Sequence, residues 1–313
     1  AADIRVTLFE QNDRMWQTVF STVNNSLIYI DDSIAEILHW SGRTLDIVDA
    51  GAIRIQSIEH GLSGKKDDGK AVFISSSLLP GKGIEKLQKI IESSHFQSCT
   101  IFCTITDADM LLAYKQGGNM ENESFYDNLK ENVIFWMNHK YATVEIHHIP
   151  CVHANVVPGL FFMPAFSTFS PLLPSHIHAI MEWLKTKGDQ RKFNSLSEVE
   201  IQHTPKVFQL KLKLLASALS SLFDALHLNE DCYAIGHTSK LLAAELVNIS
   251  SAKMKKNVGG QCTVIFIDRT LDMVQASSRS RNNLADKIFE LLPKLPAHNL
   301  DVAIDMSGVI SSP

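Results

Sequence analysis

The chain has no uninterrupted apolar run of the roughly 18 residues that a membrane-spanning helix needs. Its most apolar stretch, Val156 to Phe166, is broken by Pro158 and Pro164. Asp3, Arg5 and Glu10 stand where a signal peptide would carry its apolar core, and no initiator Met precedes them, as in a fragment. Cysteine is sparse and odd in number: Cys99, Cys103, Cys151, Cys232 and Cys262 in 313 residues. Without zinc-type pairs, five cysteines favour buried thiols in a reducing cytosol over a disulfide scaffold. Positive charge is also short. Against 34 acidic side chains there are 29 Lys and Arg, a net −5, which leaves no electrostatic footprint for nucleic acid. No Gly-x-Gly-x-x-Gly turn, no phosphate loop and no Gly-x-Ser-x-Gly elbow occurs, so dinucleotide, P-loop and serine-hydrolase chemistry lack their usual carriers.

What is present is ordinary globular composition, 45% hydrophobic and 20% charged, in a chain long enough for two domains. Apolar runs of strand length alternate with helical periodicity. The expected strands are Leu27 to Ile30, Ala52 to Ile58, Ala71 to Ile74, Thr100 to Ile105 and Thr143 to Ile149. Between them lie expected helices over Asp13 to Val23, Ile34 to Trp40, Ile84 to Ser93, Asp107 to Lys115 and Phe125 to Met137. Strand–helix alternation with nearly all-apolar strands implies a parallel sheet with helices on both faces, a first α/β domain over 1–149.

Residues 150–174 change character: five prolines and few charges suit an irregular apolar connector. A helix is expected over Ser175 to Thr186, then a polar, mobile stretch from Gly188 to Ser197. Thr204-Pro205 reads as a helix start. Phe208, Leu212, Leu215, Leu219, Leu222 and Leu226 then fall on one stripe. A strand at Cys232 to Ile235, a helix at Lys240 to Val247 and a basic loop at Lys253 to Lys256 follow. The second domain, 175–313, is again α/β. Its expected later parts are a polar loop at Ser277 to Asn282, a helix at Leu284 to Leu292 and a strand beginning at Asp301. The fold class is therefore α/β, two domains with mostly parallel sheets flanked by helices.

The stretch Thr263 to Asp272 carries the most information. Val264-Ile265-Phe266-Ile267 reads as a central parallel strand covered on both faces, and it runs into Asp268, Arg269 and Asp272. Carboxyl ends of such strands are where ligands sit in open α/β sheets. A phosphoryl-transfer site of the form Asp-x-Asp-x-Thr is excluded, because Thr270 replaces the second acid and Asp272 the final Thr. The simple reading is that Arg269 pairs locally with Asp268 or Asp272 and pins the turn.

Asp268-Arg269-x-x-Asp272 after an apolar strand resembles the signature of the SM (Sec-one/Munc-eighteen) family, which usually reads Asp-Arg-Gly-Phe-Asp-Pro. Thr270, Leu271 and Met273 depart from it, as expected of a divergent branch. Further stretches strengthen the resemblance: Leu38-His39-Trp40, Ser94 to Cys99, Asn283-Leu284 with Lys287-Ile288, and Leu291 to Pro296. It covers nearly the whole chain, fades after Met306, and matches the amino-terminal half of such proteins. It implies a cytosolic, non-enzymatic regulator of vesicle transport with no cofactor. Domain 1 would grip a syntaxin-type SNARE or a tethering factor, and domain 2 would be incomplete. Membrane association would be peripheral, through partners, at endoplasmic reticulum or Golgi rather than plasma membrane. Asp31 matches the family's acidic position on the partner cleft, and Glu36 stands where relatives often carry a base. The two mark the expected partner surface, with Asp268, Arg269 and Asp272 as the structural signature.

From the residues alone, Asp31-Asp32 is a helix cap, and a catalytic use would need a third acid or a histidine nearby. His147, His148, Cys151 and His153 are the one cluster of metal-capable side chains, but strand alternation sends His147 and His148 opposite ways, and no second pair at zinc spacing follows. Ser250-Ser251-Ala252-Lys253 has Ser-x-x-Lys spacing in an expected loop, without a partner motif. The rival reading is an α/β enzyme, phosphohydrolase-like, using the acidic strand ends at Asp31 and Asp268.

Overall fold

A computed structural model describes residues 4–61, 63–64, 69–76, 82–115, 124–150, 152–157, 159–252 and 260–273, with 292, 293, 295, 302 and 303; for 4–7, 82, 112–115 and 252 it describes the backbone alone. The chain divides into two compact units, Ala1–Asp268 and Arg269–Pro313.

In the first unit five strands form one parallel sheet: β1 (Leu27–Ile30), β2 (Arg54–Ser57), β3 (Lys70–Ser75), β4 (Ser98–Cys103) and β5 (Thr143–His148), in the order β2-β1-β3-β4-β5. Both faces of each inner strand are apolar, and the period of two splits them between two cores. Leu27, Tyr29, Ala71, Phe73, Cys99 and Ile101 point one way. There they meet α4 (Lys82–Glu92), α5 (Asp107–Lys115) and α6 (Phe125–Met137) through Leu87, Ile90, Met110, Leu129 and Val133. Ile28, Ile30, Val72, Ile74 and Phe102 point the other way. They meet α1 (Ile4–Phe20), α2 (Asp32–Trp40) and α3 (Thr44–Asp49) through Trp16, Val19, Ile34, Ile37 and Ile47. Tyr29 stacks on Phe73 with centroids 4.8 Å apart, and Phe96 closes on both edge-to-face.

Helix ends follow local chemistry. Ser124 Oγ accepts from the Asp127 amide (3.1 Å) to start α6, and Asn138 takes the left-handed conformation (φ 46°) that stops it. Residues 150–174, expected to be irregular, contain an antiparallel hairpin, β6 (Ala154–Val157) with β7 (Leu160–Phe162), and a 3-10 turn, Pro164–Phe166. Ala154 and Phe162 join the α1–α3 core, and Phe162 meets the Trp40 ring edge-on at 5.6 Å.

The chain continues through α7 (His176–Lys185) to α8 (Lys206–Ala225), a 20-residue helix. Pro205 is its cap rather than its first residue, because the Thr204 hydroxyl turns back to the Ile201 carbonyl (2.6 Å). β8 (Leu228–Ile235), α9 (His237–Ala252) and β9 (Gly260–Ile267) complete the unit, with β8 and β9 parallel. Leu212, Ala216, Leu219, Leu242 and Leu246 bury the facing sides of α8 and α9, and Cys232, Val264 and Phe266 pack onto them.

The expectation that Val264–Ile267 is covered on both faces is corrected here. Ile265 and Ile267 are 58% and 61% exposed, as Tyr233 and Ile235 are on the neighbouring strand. Among the described residues only one helical layer packs on this sheet, and β9 pairs with β8 alone. In the second unit Arg269–Leu271 forms a 3-10 turn, and the Ala303 amide donates to the Pro293 carbonyl (2.7 Å). The basic loop 253–259 and nearly all of 277–292 and 301–306 lie outside the described residues. Among the described residues no helix is long and apolar enough to cross a membrane.

Candidate functional site

The strand order reverses direction between β1 and β3, and the crevice above such a point is the usual ligand position in a doubly wound sheet. Asp31 sits there, as the sequence indicates. Its carboxylate is already occupied. Oδ1 accepts the Ile34 amide (2.9 Å) and so caps α2; Oδ2 accepts the Ser75 hydroxyl (3.0 Å), the Ser76 amide (2.6 Å) and the Ser76 hydroxyl (2.9 Å). Burial raises the Asp31 pKa above the ordinary carboxylate value, and these donors pull against that shift. Thr104 extends the same seam, donating its amide to the Ser75 carbonyl and its hydroxyl to the Ser76 carbonyl (both 3.1 Å).

Glu36, one turn further along α2, is 3% exposed. The cavity beside Ser76 measures about 180 Å³ and is walled by Ile105, Phe166, Phe169 and Leu214, with Lys211 at one side. It is smaller than the roughly 300 Å³ at which ligand pockets begin, and mostly apolar.

Asp268 has the same job at the end of β9. It is 6% exposed, and its carboxylate receives the start of α9: the Thr238 amide on Oδ2 (3.0 Å), and the Ser239 amide (2.7 Å) and hydroxyl (2.6 Å) on Oδ1. Negative charge at a helix amino end, holding its first free N–H groups, is favourable on both counts. Gly236 makes room for it. A Cβ there would lie 2.4 Å from the Asp268 carboxyl carbon, and φ is +108°, which disfavours any L side chain. The Thr238 hydroxyl receives the Leu172 amide (2.8 Å), tying this corner to the connector. The sequence suggests a local pairing of Arg269 with Asp268 or Asp272; these donors, from about thirty positions earlier, are not visible in it. Arg269 itself opens the 3-10 turn of the second unit, where Asp272 is exposed.

The histidine group is dispersed. His147 is on the exposed side of β5, with Nε2 3.3 Å from Glu145, while His153 is fully buried beside Phe161. Neither ring nitrogen of His153 finds a hydrogen-bond partner among the described residues, and burial lowers its pKa to about 4. Cys151 lies outside the described residues. Among those described, no three His, Cys, Asp or Glu side chains gather as a metal site requires. Burial pushes the Cys99 and Cys103 thiols up to about 12, so both stay protonated and inert. Ser250 and Ser251 are on α9 rather than in a loop, and Ser250 hydrogen-bonds Glu230.

The sequence places both acids at strand ends and makes Asp31 the cap of α2, as observed; it does not show the Ser75 and Ser76 donors on Asp31 or the helix start held by Asp268. Ser75-Ser76 after an apolar strand, and Gly-His-Thr-Ser at 236–239 before an amphipathic run, were the available signals.

No family model matches the chain. Over 302 residues it is 35% identical to Sec1 family domain-containing protein 2 of Mus musculus, and over 301 residues 35% identical to the protein of the same name from Homo sapiens. Each alignment takes in 93% of this chain and 44% of the relative, so the chain spans less than half the length of the curated relatives it matches. Among solved structures, the SM protein Vps45 has a TM-score of 0.59 at 13% identity, covering all of this chain and 49% of its own. Vps45 in complex with the Qa SNARE Tlg2 gives 0.57 at 11% identity, covering 93% and 44%. At such identities the shared property is the fold.

Proposed function

Because the chain belongs to the Sec1 family of SM proteins, we propose that it is a non-enzymatic regulator of vesicle-mediated transport. It binds a syntaxin-type SNARE or a tethering factor and so promotes membrane docking and fusion. Support comes from the structural neighbour that carries a Qa SNARE, and from the state of the two strand-end acids. The observation that carries the reading is that both carboxylate oxygens of each acid are taken: Asp31 holds the start of α2 and the end of β3, and Asp268 holds the start of α9. A hydrolase needs a carboxylate that faces its substrate, with room above it.

In this reading residues 1–149 form the partner-binding domain, 150–174 the connector, and 175–313 the first segment of a second domain. The partner surface is placed at the α2 side of β1, marked by Asp31 and Glu36. With Glu36 buried, the two act by fixing the shape of that wall, and affinity comes from preformed shape and apolar burial. Asp268, Arg269 and Asp272 are the structural signature of the scaffold. No cofactor is required, and membrane contact is peripheral, through the partner, on the cytoplasmic face of endomembranes such as endoplasmic reticulum and Golgi.

The test is retention of the purified chain on immobilised cytosolic domains of syntaxins from every compartment and on tethering factors. Saturable binding to at least one is expected. Retention on none ends the proposal.

A further inference from the structure

A concavity of about 620 Å³ lies between α7 and the segment that returns after it. One wall is a single face of α7, where His178, Met181, Glu182 and Lys185 recur at helical spacing. The other is Arg191, Lys192 and Phe193. The sequence suggests that this returning stretch is mobile, but its backbone is held. Gly188 (φ +80°) ends the helix, and the Gly188 and Asp189 amides donate to the Lys185 and Leu184 carbonyls (3.0 Å each). Asp189 Oδ1 accepts the Arg191 amide (3.0 Å), Arg191 rests against His203, and Glu198 accepts the Asn194 amide (3.0 Å).

The floor is apolar: Phe193 is 9% exposed, and its amide points at the Met181 sulfur (3.5 Å). The rim is cationic. Among the lining residues, Lys185, Arg191 and Lys192 against Glu182 give 3 − 1 = +2, in a chain whose net charge is −5. Glu182 is neutralised by Lys185 (2.6 Å) and Asp189 lies 3.4 Å from Arg191, whereas Lys192 makes no ion pair among the described residues.

We propose that this cleft docks an acidic peptide segment, seating one apolar side chain on Met181 and Phe193 while flanking carboxylates meet Lys192 and Arg191. The volume falls in the range of sites that enclose their ligand. Charge complementarity selects the sign of the partner, and the concavity selects its shape. A planar anionic bilayer would touch the rim alone and leave the floor unfilled. The cleft shares no residue with the Asp31 and Asp268 corners, so it stands or falls apart from the SNARE reading.

The experiment is fluorescence anisotropy of the full chain with short labelled peptides bearing a central Leu or Phe flanked by Asp and Glu. Controls carry Asn and Gln for the acids, or Ser for the apolar residue, and vesicles of phosphatidylserine and phosphatidylcholine form a separate arm. Saturable binding of the acidic apolar peptides is expected, weakened about tenfold or more by Lys192→Glu and by added salt. Lys192 is exposed, so the variant should keep the parent circular dichroism; if it does not, Lys192→Ala is read in its place. Acidic peptides binding no better than their amide controls, a folded Lys192 variant with full affinity, or vesicles bound where peptides are not, would each overturn the proposal.

Discussion

Gly236 and Asp268 occupy each other's space, and neither tolerates change without the other. An alanine at 236 would drive its Cβ into the carboxylate at a backbone angle that L residues avoid. Gly236→Ala should cost about 2–4 kcal/mol, combining backbone strain with displaced capping bonds. Urea unfolding measures it, and a loss below the experimental error would mean the corner relaxes freely. His153 makes a prediction in pH. Its native pKa of about 4 lies below the unfolded value of about 6.5, so the unfolded chain binds more protons between the two. Stability from this residue is complete above the upper value and is lost as pH falls toward the lower one. Linkage puts the loss between pH 7 and pH 5 at about 2 kcal/mol. Asp31 acts with the opposite sign. Its raised native pKa keeps the proton on the folded state to higher pH, so its contribution declines as pH rises through that value. Comparing wild type with His153→Phe at each pH isolates the imidazole; parallel stability–pH curves would contradict its neutral burial.

At the scale of elements, α8 buries a leucine stripe, with Leu214 and Ala218 buried beside it. Leu212, Leu219, Leu222 and Leu226 are buried, whereas Leu215 is only partly covered. Leu219→Ala should therefore cost about 2–4 kcal/mol and Leu215→Ala less, read from thermal or urea unfolding; the reverse order would misplace the helix. This stripe was legible in the sequence because its period is local. So were β1, α5 and α6, whose bounds match those expected from the sequence. The β6–β7 hairpin was not, because its prolines and short strands give no period, and it is shaped by what α2 offers it. The partial cover of β9 was not legible either. Four apolar residues in a row look the same whether one helical layer lies against them or two. Asp31 and Asp268 were legible as positions, but apart from Ile34 their donors come from residues tens of positions away, joined only when strands pair.

For the whole molecule, the two corners act alike: an acid at the end of one parallel strand fastens the neighbouring strand end or helix start. That design uses the ligand position of an α/β sheet for cohesion. It fits a chain that spans 44% of its relatives and presents a sheet face with Tyr233, Ile235, Ile265 and Ile267 uncovered. Exposed apolar surface of this kind promotes self-association. The isolated chain should sediment with a concentration-dependent mass, and Ile265→Thr with Ile267→Thr should reduce that dependence. A strictly monomeric wild type at all concentrations would show the face to be harmless alone.

The central claim is that the strand-end acids hold the fold rather than do chemistry, and equilibrium unfolding of Asp268→Ala tests it most directly. Active-site residues are commonly neutral or costly to stability, so removing one leaves the protein as stable or more so. A capping carboxylate behaves the other way, and the account predicts a loss of about 2–4 kcal/mol, from three buried donors left without an acceptor. An Asp268→Ala protein that unfolds at the same or higher denaturant concentration than wild type would contradict it.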